Sequence, residues 1–320
     1  MALSLAEAFD LFIISRETYC ADTTIFNYKN TIRYFIDFIC ARKDSLPEEV
    51  DVTAVTKADI NFYVLFLRKK KKNENNPIAP TSDDVITKRT VKTYCTDVRT
   101  FFNWLVKEGY VDRDANPMKN FRMIKPEVRS ILPITSDEVR VLEDGYNGLT
   151  ALGCRNLAII HLLLDEGFRV CEIKNLKISD VHYSNDCIVV NGKGSKQRIL
   201  PLARIVRKYL ERYQHSYRPE TVHEYFFCDS NGNPITSDAI RNVFCRAKKR
   251  TKIDRLHPHL LRHTFATSFI IGGGSLELLR IYMGHSDIAT TQNYMHVVNA
   301  IQFSQNIYPL DSIFFKRMYY

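Results

Sequence analysis

Long hydrophobic runs are missing from this chain of 320 residues. The longest strongly apolar stretch, Leu157 to Leu164, contains His161. It is far too short to cross a bilayer, which takes roughly 20 apolar residues in a helix. The opening residues include Glu7 and Asp10 and no basic cluster, so no signal peptide is expected and a cytoplasmic location is. Glycine and proline are sparse, at 12 and 11 residues, which excludes a collagen-like chain. Hydrophobic residues make up 45% and charged residues 25%, so the chain has enough apolar content to fold. The cysteines at 20, 40, 95, 154, 171, 187, 228 and 245 form no CxxC pair. They read as small buried hydrophobes, and neither a disulfide scaffold nor a zinc ribbon is expected. There is no internal repeat or low-complexity tract.

What is present is basic charge, unevenly placed. The formal net charge is +9, with 20 basic against 18 acidic residues up to position 127 and 25 against 18 beyond it. Such a balance suits a polyanionic partner without proving one. Arg68, Lys69, Lys70, Lys71 and Lys72 stand in a row. They read either as a solvated helix end, since cations suit a helix C-terminus, or as DNA-contacting side chains.

Periodicity predicts four helices in the first 110 residues: Leu3–Ser15, Thr23–Cys40, Lys57–Lys71 and about Thr87–Glu108. The second places Ile25, Tyr28, Ile32, Phe35, Ile36 and Ile39 on one face, and Gly109 is the expected stop of the fourth. Periodicity then fails from Tyr110 to Ile134, where Asn116-Pro117, Lys125-Pro126 and Leu132-Pro133 predict a linker. A second domain opens with Thr135-Ser-Asp-Glu138, a capping-box pattern. Further helices are expected at Arg155–Glu166, Ala203–Gln214, Ser237–Arg250, Pro258–Ile270, Ser275–Met283 and about Asp287–His296. Cys187–Val190 and Gln197–Leu200 flank Gly192-Lys-Gly-Ser195 and predict a hairpin. The fold class expected is mainly α with a small β-sheet.

Several segments of the second domain place cations and imidazoles at the ends of expected elements: Glu166-Gly-Phe-Arg169-Val-Cys-Glu172, Lys193 in the hairpin turn, His257-Pro-His259-Leu-Leu-Arg262-His263, His285, and Tyr294 nine residues further on. Arginine can grip phosphate oxygens through paired hydrogen bonds, so this set suits a phosphate site. His259 and His263 have the i, i+4 spacing of a zinc pair, but no glutamate lies between them and Arg262 opposes a cation, so no metal is expected.

The sequence His259-Leu-Leu-Arg262-His263-Thr-Phe-Ala-Thr, then Leu-Arg-Ile-Tyr-Met-Gly-His285-Ser and Thr-Thr-Gln-Asn-Tyr294, resembles the tyrosine recombinase (phage integrase) family. That family has Arg, Lys, His-x-x-Arg, His or Trp, and Tyr in this order, matched here by Arg169, Lys193, His259, Arg262, His285 and Tyr294. The resemblance implies a helical core-binding domain over 1–110, a linker over 111–134, an α+β catalytic domain over 135–300 and a tail over 301–320 that docks on a neighbouring protomer. It implies cleavage and rejoining of DNA through a 3′-phosphotyrosine on Tyr294. Arg169, Arg262 and His285 would stabilise the transition state, His259 would act as base and Lys193, ahead of Lys196, as acid. Glu172 would be an accessory residue; His263 also matches the pattern, but it is read here as a packing or bracing residue. No cofactor or metal is implied. The implied partner is double-stranded DNA with a specific site, bound by four protomers around two duplexes, with no membrane and with an accessory protein left open. The chain begins almost at its first helix, which favours a simple two-domain recombinase similar to Xer and transposon enzymes. A type IB topoisomerase-like relaxing enzyme and a catalytically inactive DNA-binding regulator are the competing readings.

Overall fold

The computed structural model describes residues 3–74, 80–126, 131–192 and 197–305. It divides into two compact units, residues 1–129 and 130–320. Lys193 and Lys196 lie outside the described residues, as does the expected docking tail from residue 306 onward.

The first unit contains α1 (Leu5–Glu17), α2 (Asp22–Lys43), α3 (Lys57–Lys69) and α4 (Lys88–Lys107). Local chemistry sets their ends. Ser4 and Glu7 form a capping box on α1, Thr56 and Asp59 form one on α3, and Thr87 caps α4. Gly109 takes φ +80 just past α4, a left-handed conformation that glycine adopts without strain. Between the helices lies an aromatic core in which Phe12 meets Phe101 edge to face at 5.3 Å and Phe35 meets Tyr63 at 5.0 Å. Each such ring contributes roughly 1.5–3 kcal/mol by burial and each edge contact about 0.5–1.5 kcal/mol more. Val111 and Met118 are buried in this same core, and Phe121, Met123 and Ile124 pack against it. The first half of the expected linker is thus part of the first unit, because its scattered apolar residues fill a core without any helical period.

The second unit runs α5 (Ser136–Asp144), α6 (Ala151–Leu164), α7 (Val170–Asn175), β1 (Val181–His182), β2 (Cys187–Asn191), β3 (Gln197–Pro201), α8 (Arg204–Arg212), α9 (Ser237–Thr251), α10 (Pro258–Ile271), α11 (Leu276–Met283) and α12 (Ile288–Gln305). The capping box expected from Thr135 and Glu138 is formed at α5. The three strands are antiparallel in the order β1-β2-β3, with Cys187 opposite Pro201 and Asn191 opposite Gln197. The two-residue strand β1 is too short to be seen as a sequence pattern. From Leu157 to Leu164 every side chain of α6 is buried, so the run too short for a membrane is the central helix of this unit. Among the described residues no helix is long and apolar enough to cross a membrane.

Half of the cysteines fit the expectation of buried hydrophobes: Cys40, Cys95, Cys154 and Cys228 are buried, Cys20 and Cys187 are half-buried, and Cys171 and Cys245 are exposed. The last two sit on the outer faces of α7 and α9.

Candidate active site

Helix α6 ends beside a sharp turn at Gly167, whose φ of +64 is left-handed. A Cβ there would stand 2.4 Å from the Phe265 ring, so only glycine allows the turn to close against α10. The turn delivers Arg169 as the residue capping α7. Glu172, one turn into that helix, accepts from the Arg169 backbone N–H at 2.7 Å and from its Nη1 at 3.0 Å. Glu172 is buried, and burial alone raises a carboxyl's pKa. The hydrogen bonds from Arg198 and from the Arg169 amide outweigh that effect and hold it below the usual carboxylate value.

Helix α10 starts with His257 as cap, its Nδ1 accepting from Leu260 N–H at 2.9 Å, and with Pro258 in the first turn. This start sets His259 and Arg262 three residues apart, on neighbouring turns. Arg262 is only 5% exposed, and its guanidinium donates to the Gly167 carbonyl, to the Met283 carbonyl at 2.6 Å and to His285 Nε2 at 3.4 Å. Burial and the facing Arg169 lower its pKa to about 10, so it stays charged at neutral pH. His259 is exposed, and partial desolvation followed by the positive potential of His257, Arg262 and Arg169 holds its pKa below the ordinary histidine value. His263 donates from Nε2 to the Ile131 carbonyl at 2.6 Å.

Helix α11 ends at Gly284, with φ +59. His285 follows. A guanidinium has no acceptor, so the contact with Arg262 makes Nε2 the unprotonated nitrogen of His285. Its Nδ1–H then donates to Thr291 Oγ1 at 2.9 Å. Burial, Arg262, Arg169 and Arg198 push the pKa of His285 down to about 4, so the imidazole is neutral while no anion is present. Tyr294, on α12, stacks parallel to His285 with ring centroids 6.4 Å apart and lies 5.2 Å from the His263 ring. Burial raises its pKa, and the charges of Arg262 and Arg169 offset only part of that rise. Arg169, Glu172, Arg262, His285 and Tyr294 therefore come together from four segments, with His259 within their electrostatic reach. Tyr282, on α11, packs on Phe269 with ring centroids 5.4 Å apart.

Residues 133–300 match the phage integrase family, more than half of the chain. A tyrosine recombinase XerD of Listeria monocytogenes is 30% identical over 301 residues, covering 92% of this chain and 94% of that protein. The chain belongs to the phage integrase family. It is a tyrosine recombinase, a site-specific recombinase by that membership. Two solved structures share its fold. One is the Tn1549 transposon integrase in complex with a circular intermediate DNA, with a TM-score of 0.71, 17% identity, 95% of this chain and 100% of that one covered. The other is a lambda integrase tetramer bound to a Holliday junction, with a TM-score of 0.65, 17% identity, 89% of this chain and 78% of that one covered.

Two members of this cluster escaped the sequence reading. Thr291, fully buried, orients His285. Arg198 on β3 chelates Glu172, with Nη1 to Oε1 at 2.8 Å and Nη2 to Oε2 at 2.9 Å. Strand alternation was the available signal for Arg198, which shares the inward face with buried Leu200 while Ile199 points out. A cation on the buried face of a strand demands a partner.

In the first unit, the basic run divides. Arg68 and Lys69 are exposed at the end of α3. Lys70 donates to the Tyr34 hydroxyl at 2.8 Å, Lys71 pairs with Asp83 at 3.1 Å and Lys72 with Asp84 at 2.8 Å. The segment after the run therefore doubles back on it, with an isolated antiparallel bridge between Lys71 and Val85.

Proposed function

We propose that this recombinase cuts and rejoins duplex DNA at a specific site through a 3′-phosphotyrosine on Tyr294. The observation that carries this reading is the convergence of Arg169, Arg262 and neutral His285 on one half-buried tyrosine, with the Glu172 carboxylate among them. A phosphodiester entering this cluster meets donors already in place. Arg169 and Arg262 bind its non-bridging oxygens, and stabilisation grows as the phosphorane gains charge. The anion also raises the affinity of His285 for a proton, which turns its Nε2 from acceptor into donor. Tyr294 starts as a neutral phenol and loses its proton to His259 as its oxygen attacks phosphorus. The P–O5′ bond breaks, and Lys193 protonates the departing 5′ oxygen. The phosphodiester bond energy is kept in the tyrosyl ester, so no nucleotide cofactor enters. A 5′-hydroxyl from a second duplex then attacks the ester and releases Tyr294.

The wider reading follows the notion of a paired-site enzyme. Four protomers hold two duplexes, the tail over 301–320 docks on a neighbour, and the enzyme works in the cytoplasm. Phosphate contacts from the basic surface, Arg68 and Lys69 foremost, supply salt-dependent affinity. The recombinases and integrases found similar to this chain lend no support to a topoisomerase or to an inactive regulator.

The test begins with recovery of the bound site from a pool of random-sequence duplexes. A nicked duplex carrying that site traps covalent protein–DNA adduct. Tyr294→Phe is expected to bind the site within a few-fold of the unchanged protein and to form no adduct. Adduct formation by Tyr294→Phe would move the nucleophile elsewhere.

A further inference from the structure

Three consecutive backbone carbonyls close helix α11, and each is taken by a different arginine. Arg198 Nε donates to the Tyr282 carbonyl at 2.7 Å, Arg262 Nη2 to Met283 at 2.6 Å and Arg169 Nη2 to Gly284 at 3.2 Å. These carbonyls lie at the negative end of the helix, where cations are favoured. The fit is close: a Cβ on Gly284 would lie 3.0 Å from Arg198 Nη1 and 3.3 Å from Arg169 Nη1. The next residue in the chain is His285.

The three arginines are not equivalent. The Arg169 side chain is 31% exposed and has donors left for a ligand. The Arg198 side chain is 8% exposed, and its Nε, Nη1 and Nη2 are all engaged by protein oxygens. Arg198 is thus not placed to grip a phosphate. Its planar fork instead matches both oxygens of Glu172, a carboxylate that also lies 3.0 Å from Arg169 Nη1 and 4.0 Å from Arg262 Nη1. Three guanidiniums surround one carboxylate, which leaves two positive charges to meet the phosphorane.

We propose that Arg198 is a positioning residue for strand cleavage: it neutralises and orients Glu172, so that Arg169 and Arg262 keep their charge for the scissile phosphate, and it anchors the turn that presents His285. This rests on the phosphotyrosine reading above. Without Arg198, the buried Glu172 carboxylate has only Arg169 and Arg262 to pair with. It would draw them together in a low-dielectric setting and leave the phosphate a weaker grip.

The experiment uses the full chain, the recovered site and single-turnover adduct formation on the nicked duplex, with site affinity and thermal unfolding measured alongside. Arg198→Met is expected to bind a single site within a few-fold of the unchanged protein but to form adduct about 10²- to 10³-fold more slowly, the scale of a lost preorganised electrostatic contact. Arg198→Lys, which cannot fork, is expected to fall between the two. The deciding variant is the double change Arg198→Met with Glu172→Gln. If Arg198 acts by neutralising Glu172, removing that charge returns at least ten-fold of the lost rate. A bracing role for Arg198 alone gives a double variant no faster than Arg198→Met, and that result overturns the proposal. Adduct formation by Arg198→Met at the unchanged rate overturns it too. Should Arg198→Met fail to fold, the comparison is made between Arg198→Lys and Arg198→Lys with Glu172→Gln, with the same criterion. If Tyr294→Phe still forms adduct, the choice of nucleophile fails, while the effect of Arg198 on cleavage is still read. If the unchanged protein forms none, both readings fall.

Discussion

The first unit buries rings: Phe12, Phe35, Tyr63, Phe101 and Phe102 fill its centre, and among the described residues the polar ones buried there are Thr31 and Asp59. The second unit buries an aliphatic helix that holds one polar residue, His161, and beyond its end a set of polar and charged groups that includes Glu166, Glu172, Arg262 and Thr291. The contrast separates two uses of burial. Apolar burial in the first unit stabilises directly. Each buried charge in the second costs desolvation energy, and like charges such as Arg169 and Arg262 repel across a short distance. A fold keeps such a cluster when an incoming anion completes it, and perturbed titration at buried groups is the mark of such a site.

The sharpest way to break this contrast is to remove charge from the second unit. Arg262→Met replaces a buried cation by an apolar side chain of similar length and relieves its repulsion with Arg169 and Arg198. Adduct formation is expected to fall by about 10³-fold or more, as when a preorganised transition-state donor is lost. The melting temperature is expected to fall by less than a core truncation would cost, because relief of the repulsion offsets part of the lost hydrogen bonds to the Gly167 and Met283 carbonyls. A drop in stability as large as that of a core truncation would show that Arg262 serves the fold rather than the reaction.

The converse change belongs in the first unit. Phe101 is fully buried and touches both Phe12 and Phe102 edge to face. Phe101→Ala is expected to cost about 3–5 kcal/mol. Hydrogen exchange should then quicken across α1, α2 and α4 and remain slow in α6. Equal acceleration in α6 would mean that the two units do not unfold separately, and the contrast would lose its meaning.

The smallest effect concerns Glu166, next to the Gly167 turn. Burial, with Asp165 nearby, pushes its pKa up to about 8, although its carboxyl accepts from the Ala203 N–H at 2.7 Å. Glu166 is therefore neutral in the folded protein and charged in the unfolded chain between the ordinary value of 4.5 and about 8. The folded state holds the extra proton in that window, so its stability falls as pH rises through it. Glu166→Gln removes this titration. Relative to the unchanged protein, its melting temperature is expected to gain more at pH 8 than at pH 5. Parallel curves would show that Glu166 is ionised in the fold.

Local pattern and chain order were enough to read the helices, the hairpin strands, the Thr135 capping box and the order Arg169, His259, Arg262, His285, Tyr294. These features depend on residues a few positions apart, or on motif succession, and both are written along the chain. The structure alone decided which charges meet. Arg198 finds Glu172 across 26 residues and the end of α11 across 84, and no spacing rule reaches that far. The protonated nitrogen of His285 follows from Arg262 on one side and Thr291 on the other. Lys70, Lys71 and Lys72, alike in sequence to Arg68 and Lys69, differ from them because α2 brings Tyr34 to Lys70 and the chain doubles back to bring Asp83 and Asp84 to the other two. The unit boundary falls near residue 129, within the expected linker of 111–134, and Val111 and Met118 join the first core without any period to announce them. Periodicity is a property of one element, whereas pairing and packing belong to the space between elements, and that space exists only once the chain has folded.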